Sequence, residues 1–174
     1  FHEILNYCKQ ENLFLGEGTP NADILIVGKE CGLDAVKGKS LKAVKDKGTE
    51  EQVKEWILNN SQNEIKSNLD RLRDDYLNKG LPRLKKDIGY NATWSNYHRL
   101  VSLIKGVSDD QITKGGRNDW GFLDSCFITE VSQLQLPNSN YLKDKTKSDN
   151  IAKRSEMFRK PFFRRFPIVI VAVG

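Results

Sequence analysis

The chain has 174 residues, enough for one domain with a single sizeable core and too few for two comfortable ones. Its 28 Lys and Arg against 23 Asp and Glu leave a net charge of +5, which permits a polyanionic partner without requiring one. Three cysteines, Cys8, Cys31 and Cys126, form no C-x-x-C pair and have only His2 and His98 to help them, which argues against a disulfide framework and a zinc site. No apolar run approaches the roughly 20 residues of a membrane helix, so the expectation is a soluble, cytoplasmic protein.

Residues Glu3 to Lys9 predict a short helix, and the Gly, Pro and Asn residues of LGEGTPNAD then punctuate before a strand. ILIVG, Ile24 to Gly28, is a continuous β-branched run of the kind found in strands covered on both faces. GKECG follows it as a loop at the carboxyl end of that strand. The piece Lys37 to Lys47 reads as a surface loop. Val53, Trp56 and Ile57, then Ile65, Leu69, Leu72 and Tyr76, fall at helical spacing with charges between them. Trp94, Tyr97, Leu100, Val101 and Ile104 repeat at three and four residues and predict a second core-facing helix over Thr93 to Gly106. CFITEV, Cys126 to Val131, is a second buried strand. Asp149 to Phe166 is helical with a break at Pro161, and IVIVAV, Ile168 to Val173, is a third buried strand. Strands separated by long helical stretches predict an α/β sandwich around a small parallel sheet. A chain that begins without Met and stops after an uncapped strand reads as a piece truncated at its C-terminal end.

GLDAVKGKS, Gly32 to Ser40, carries Gly-Lys-Ser after a strand, yet five residues separate Gly32 from Gly38 where a phosphate loop needs four. G-x-G-x-x-G is absent after Val27. In a parallel sheet, ligands bind beyond the carboxyl ends of the strands, which puts GKECG at the natural place for a site. A carboxylate there takes a proton from water or steadies a developing cation; the plain alternative is that Lys29 and Glu30 pair with each other or meet solvent.

The stretch GEGTPNADILIVGKECG, Gly16 to Gly32, resembles the first motif region of the uracil-DNA glycosylase superfamily, with CFITEV and PIVIVAVG in matching order behind it. The resemblance implies a three-layer α/β sandwich with a small central parallel sheet, over a single domain spanning residues 1–174. It also implies hydrolysis of an N-glycosidic bond, as in DNA repair. In the branch whose loop reads G-Q-D-P-Y, the water-activating Asp falls on Glu30. In the branch reading G-E-A-P-G the acid falls on Lys29, and the Pro of both branches is Cys31. The base-recognising Asn falls on Glu130, after Thr129. An ionised Glu only accepts hydrogen bonds, which suits a base with exposed donors.

The resemblance thus implies Glu30 as the catalytic group and Gly28, Lys29, Cys31, Gly32, Thr129 and Glu130 as the base or ligand pocket. No cofactor or metal is implied, and three scattered cysteines exclude the iron-sulfur cluster of some branches. The His-containing second motif would follow Gly174, and the stacking Phe has no match in AVKGKSLKAV. For a DNA partner, the basic segment Lys153, Arg154, Arg159, Lys160, Arg164 and Arg165 is the expected phosphate contact, with Gly115, Gly116 and Arg117 as a second. The alternatives are a solvated helix face, and a catalytically silent module that binds nucleic acid, a free base or a nucleotide.

Overall fold

The computed structural model describes residues 1–32, 53–54, 56–57, 92–114, 120–136 and 144–172. Helix α1, His2–Glu11, buries Ile4, Leu5 and Cys8 at helical spacing. It ends at Asn12, whose φ of 51° is the left-handed conformation that Asn tolerates. The two-residue strand β1, Glu17–Gly18, precedes the long strand β2, Ile24–Gly32. Helices α2, Ala92–Ile104, and α3, Asp109–Lys114, follow, tied by the exposed Arg99–Asp109 ion pair. A 3₁₀ turn over Trp120–Ser125 leads into β3, Cys126–Leu136. Then come α4, Asp144–Phe158, the single turn α5, Pro161–Arg164, with Pro at its start, and β4, Ile168–Ala172.

The fold is mixed α/β around a four-stranded sheet in the order β1-β3-β2-β4. Strands β3, β2 and β4 are parallel, and β1 joins the β3 edge antiparallel, so the sheet is mixed where the apolar runs predict a parallel one. The β1 segment, Glu17 and Gly18, has no apolar run to announce it. Gly16 makes its approach to β3 possible. At φ 144°, a Cβ on it would meet the carbonyl of Ile128 at 2.5 Å and the Phe127 ring at 2.6 Å.

The alternation of side chains along the strands splits the core in two. Leu25, Val27 and Phe127 join residues of α1, α4 and α5 in one cluster, with Trp56 inside it. Trp56 is fully buried and donates its indole N–H to the Gly16 carbonyl at 3.0 Å. Ile24, Ile26, Cys126 and Ile128 pack with Tyr97, Val101, Phe122 and Leu123 in the other. Each such side chain contributes about 1.5–3 kcal/mol when fully buried.

The structure lengthens or corrects several expectations. GKECG is not a loop: β2 runs on to Gly32, with an irregular register against β3 between Glu30 and Gly32. Strand β3 continues five residues past Val131, and α4 begins at Asp144 rather than Asp149. Ile104, expected in the core, is 39% exposed at the last residue of α2. Strand β4 lies at the sheet edge with Val169 and Val171 51% and 61% exposed, so its apolar run is not covered on both faces. Val53, Lys54, Trp56 and Ile57 are helical as expected. The rest of that stripe, the Lys37–Lys47 segment, the Gly-Lys-Ser stretch and Gly115 to Arg117 lie outside the described residues. No helix among the described residues is long and apolar enough to cross a membrane.

Cys8 and Cys126 sit in opposite clusters, fully buried, and burial pushes both thiols up to about 12. For Cys8, the Arg154 guanidinium pulls the other way and loses to burial. The folded thiols stay protonated while those of the unfolded chain ionise near 9. Their contribution to stability is therefore complete below pH 9 and is lost as pH rises toward 12. Peptide mapping after iodoacetamide at pH 8 should show Cys8 and Cys126 unmodified in the native protein and both alkylated in 6 M guanidinium.

Candidate functional site

The parallel register brings three strand positions abreast: Gly28, midway along β2, lies opposite Glu130 of β3 on one side and Ala172, the last residue of β4, on the other. Gly28 is a glycine for reasons of space. A Cβ there would overlap the Glu130 carboxyl group, with Cδ at 2.8 Å, and stand 2.9 Å from the Tyr97 hydroxyl. The Glu130 side chain therefore lies over the bare backbone of β2, and Tyr97 reaches the same spot from α2. Oε2 of Glu130 is closed off from solvent, while the residue as a whole is half-buried. Tyr97 is 7% exposed. A carboxylate and a phenolic hydroxyl thus share one small volume over Gly28, level with the end of β4. The first only accepts when ionised; the second donates and accepts.

Thr129, the neighbour of Glu130, does not line this volume. Successive residues of a strand point to opposite faces, and the Thr129 side chain is buried on the other side of the sheet. There its hydroxyl donates to the Leu15 carbonyl at 2.8 Å. The expected pocket pair is therefore split, Glu130 to one face and Thr129 to the other.

Arg154 is the second correction. Expected at the surface among the phosphate contacts, it is fully buried in α4. Its guanidinium donates to the Glu130 carbonyl through Nε at 3.1 Å and Nη2 at 2.5 Å, to Thr129 Oγ1 at 2.8 Å, and to the Phe14 carbonyl. The rings of Phe158 and Phe14 flank it at 5.3 and 5.9 Å. A basic side chain inside α/β packing is tolerated because its donors meet carbonyls whose own partners would otherwise be lost. Two more polar residues extend the same seam. Asn150 Oδ1 accepts from the Ser132 hydroxyl and the Gln133 N–H, and Gln133 bonds both Phe14 and Asn12.

The remaining cations divide. Lys160 packs its ammonium over the Tyr7 ring at 4.2 Å, and Arg165 donates to the Pro20 carbonyl while lying over Phe162 and Phe166. Arg159 is exposed and pairs with Glu156 at 2.5 Å, and Arg164 and Lys153 are exposed. The backbones of Lys29, Glu30, Cys31 and Gly32 belong to β2, with Glu30 in register with Ser132; their side chains lie outside the described parts. Tyr97 was legible only as a core aromatic, although a Tyr on an apolar stripe carries a hydroxyl that needs a polar neighbour. That neighbour is the signal that was there to follow. Among the described residues no group of three or more His, Cys, Asp or Glu converges.

Compared with known proteins, the chain matches no family model, no curated protein and no solved structure.

Replacing Arg154 by Met keeps the aliphatic bulk and removes every donor, leaving the Glu130 and Phe14 carbonyls buried without it. Urea unfolding should show a loss of about 3 kcal/mol or more, and Arg154→Lys should recover less than half of it, because an ammonium lacks the planar fork. Gly28→Ala should cost about 1–3 kcal/mol through overpacking, and Gly28→Ala combined with Glu130→Ala should recover most of that loss.

Proposed function

We propose that this protein is a divergent relative of the uracil-DNA glycosylase superfamily that hydrolyses the N-glycosidic bond of a base in DNA. The observation that carries this reading is the parallel register of β2 and β3, in which Gly28 and Glu130 stand abreast and Glu30 follows two residues further along β2. The resemblance assigns water activation and base recognition to those two positions, and the central order β3-β2-β4 supports a sheet of the kind it implies. In this reading Glu30 orients water toward the sugar carbon and stabilises the cation that forms as the base departs. Backbone N–H groups at the end of β2 help to place the ligand, and Glu130 contacts the base. Arg154 acts as a positioning residue: it holds the Glu130 carbonyl, and so the strand position from which that side chain projects.

A second reading is a catalytically silent module of the same fold that binds a base or nucleotide. It is favoured by the burial of Arg154 and by the partners that Lys160, Arg165 and Arg159 have inside the chain, Tyr7, Pro20 and Glu156, although Arg165 and Arg159 are exposed with Lys153 and Arg164.

Single-turnover base release should decide between them. With single- and double-stranded DNA carrying uracil, hypoxanthine or xanthine, the enzyme reading expects release from at least one substrate. It also expects a loss of about 100-fold or more in Glu30→Ala, the size of a general-base contribution. No release from any of these substrates, with binding retained, overturns the enzyme and leaves the module.

A further inference from the structure

Strand β4, Ile168–Ala172, stands at one edge of the described sheet. Edge strands are a template for further pairing, and soluble proteins blunt them with a charge, a proline or a bulge. IVIVA carries none of these. Among the described strands it alone has no polar or charged side chain, Pro167 stands ahead of it, and its register against β2 is regular from Ile168 to Ala172. Val169 and Val171, both exposed, share the face of Leu25 and Val27. There they border an open apolar groove of about 380 Å³, walled by Ile151 and Phe158 of α4 and by Phe163 of α5. The two polar residues of that groove are engaged already, Ser155 with the Ile151 carbonyl at 2.8 Å and Arg154 with the carbonyls of Glu130 and Phe14. Whatever covers this edge is therefore apolar and brings its own backbone hydrogen bonds.

We propose that β4 pairs antiparallel with β4 of a second copy of this chain, about a two-fold axis at Ile170, joining the two sheets into one. In that register Val169 faces the partner's Val171, and Val171 faces the partner's Val169. Facing residues of an antiparallel pair lie on the same side of the sheet, so the exposed valines of each copy cover those of the other. Together they close the open side of each groove. On the opposite side Ile170 meets the partner's Ile170, and the exposed Ile168 meets the partner's Ala172. The charges select this direction. Arg164 and Arg165, exposed just ahead of β4, fall at opposite ends of the antiparallel joint, whereas a parallel joint sets them beside their own copies. A two-fold joint is also self-limiting, because it uses the same edge of both copies and leaves no unpaired β4 to extend.

The test is sedimentation equilibrium of the full chain over the micromolar range. The wild type should move with concentration toward twice the 19.9 kDa of one chain. Val171→Lys, at a position exposed enough to leave the fold and its circular dichroism unchanged, should raise the dissociation constant about tenfold or more. The register is read by oxidising cysteine variants and comparing them with the wild type on a non-reducing gel. Val169→Cys and Val171→Cys, each alone, should add no dimer band. Mixed, they should link, because facing Cα atoms stand about 4.5–5.5 Å apart, within reach of a disulfide, while two copies of the same position lie two residues out of register.

A wild type that stays monomeric, a Val171→Lys dimer as tight as the wild type, or mixed cysteine variants that fail to link overturns the pairing. For a monomer, maleimide labelling of Val169→Cys shows what stands there instead. Slow labelling that guanidinium accelerates means that another part of the chain covers β4, and fast labelling leaves the edge to a different partner. Base release enters none of these measurements, so the dimer stands or falls apart from the glycosylase reading.

Discussion

The buried guanidinium of Arg154 is the interaction on which the remainder of the structure leans. It joins α4 to the last turn of backbone before the candidate site, the Thr129–Glu130 step of β3, and also to the Phe14 carbonyl between α1 and β1. Three segments far apart in sequence thereby share one donor set. A charge in that position is expensive to desolvate and is retained only where its hydrogen bonds are satisfied. Gln133 and Asn150 extend the seam along β3, so that the Asn12–Leu15 linker is held to the sheet by polar contacts inside an otherwise apolar layer.

The two faces of the sheet consequently do different work. The face toward α1, α4 and α5 holds the aromatic cluster of Trp56, Phe127, Phe162, Phe163 and Phe166 together with the arginine seam. The face toward α2 holds the second apolar cluster, which gives way to Glu130 and Tyr97 over Gly28. A similar division is general in α/β proteins, where ligands are met at strand ends and the faces are covered by helices.

Much of the scaffold was legible because it follows from periodicity. Three apolar runs became the three parallel strands, and the spacing of Tyr97 and Val101 placed their helix against the sheet. The split of Thr129 from Glu130 was also implicit in a period of two, once the strand was known to run through both. Arg154 was not legible: in sequence it is one cation in a basic run, and Arg159 and Arg164 beside it do face solvent. What separates them is a helical turn that directs one residue of the run at strand carbonyls, which composition does not encode. The exposure of β4 escaped for a related reason, since an apolar run reports that a strand is compatible with burial and not how many neighbours it has.

By itself, the sequence determined the three apolar strands and the core-facing helices, the parallel character of those strands and the acidic residues Glu30 and Glu130 on two of them, because each depends on local pattern. Tertiary structure alone decided that Gly28 serves as clearance for a carboxylate, that Tyr97 meets Glu130, and that Arg154 belongs to the interior. Each of those depends on which residues of separate elements occupy the same few ångströms, and that is set by register and helix docking, not by neighbours along the chain.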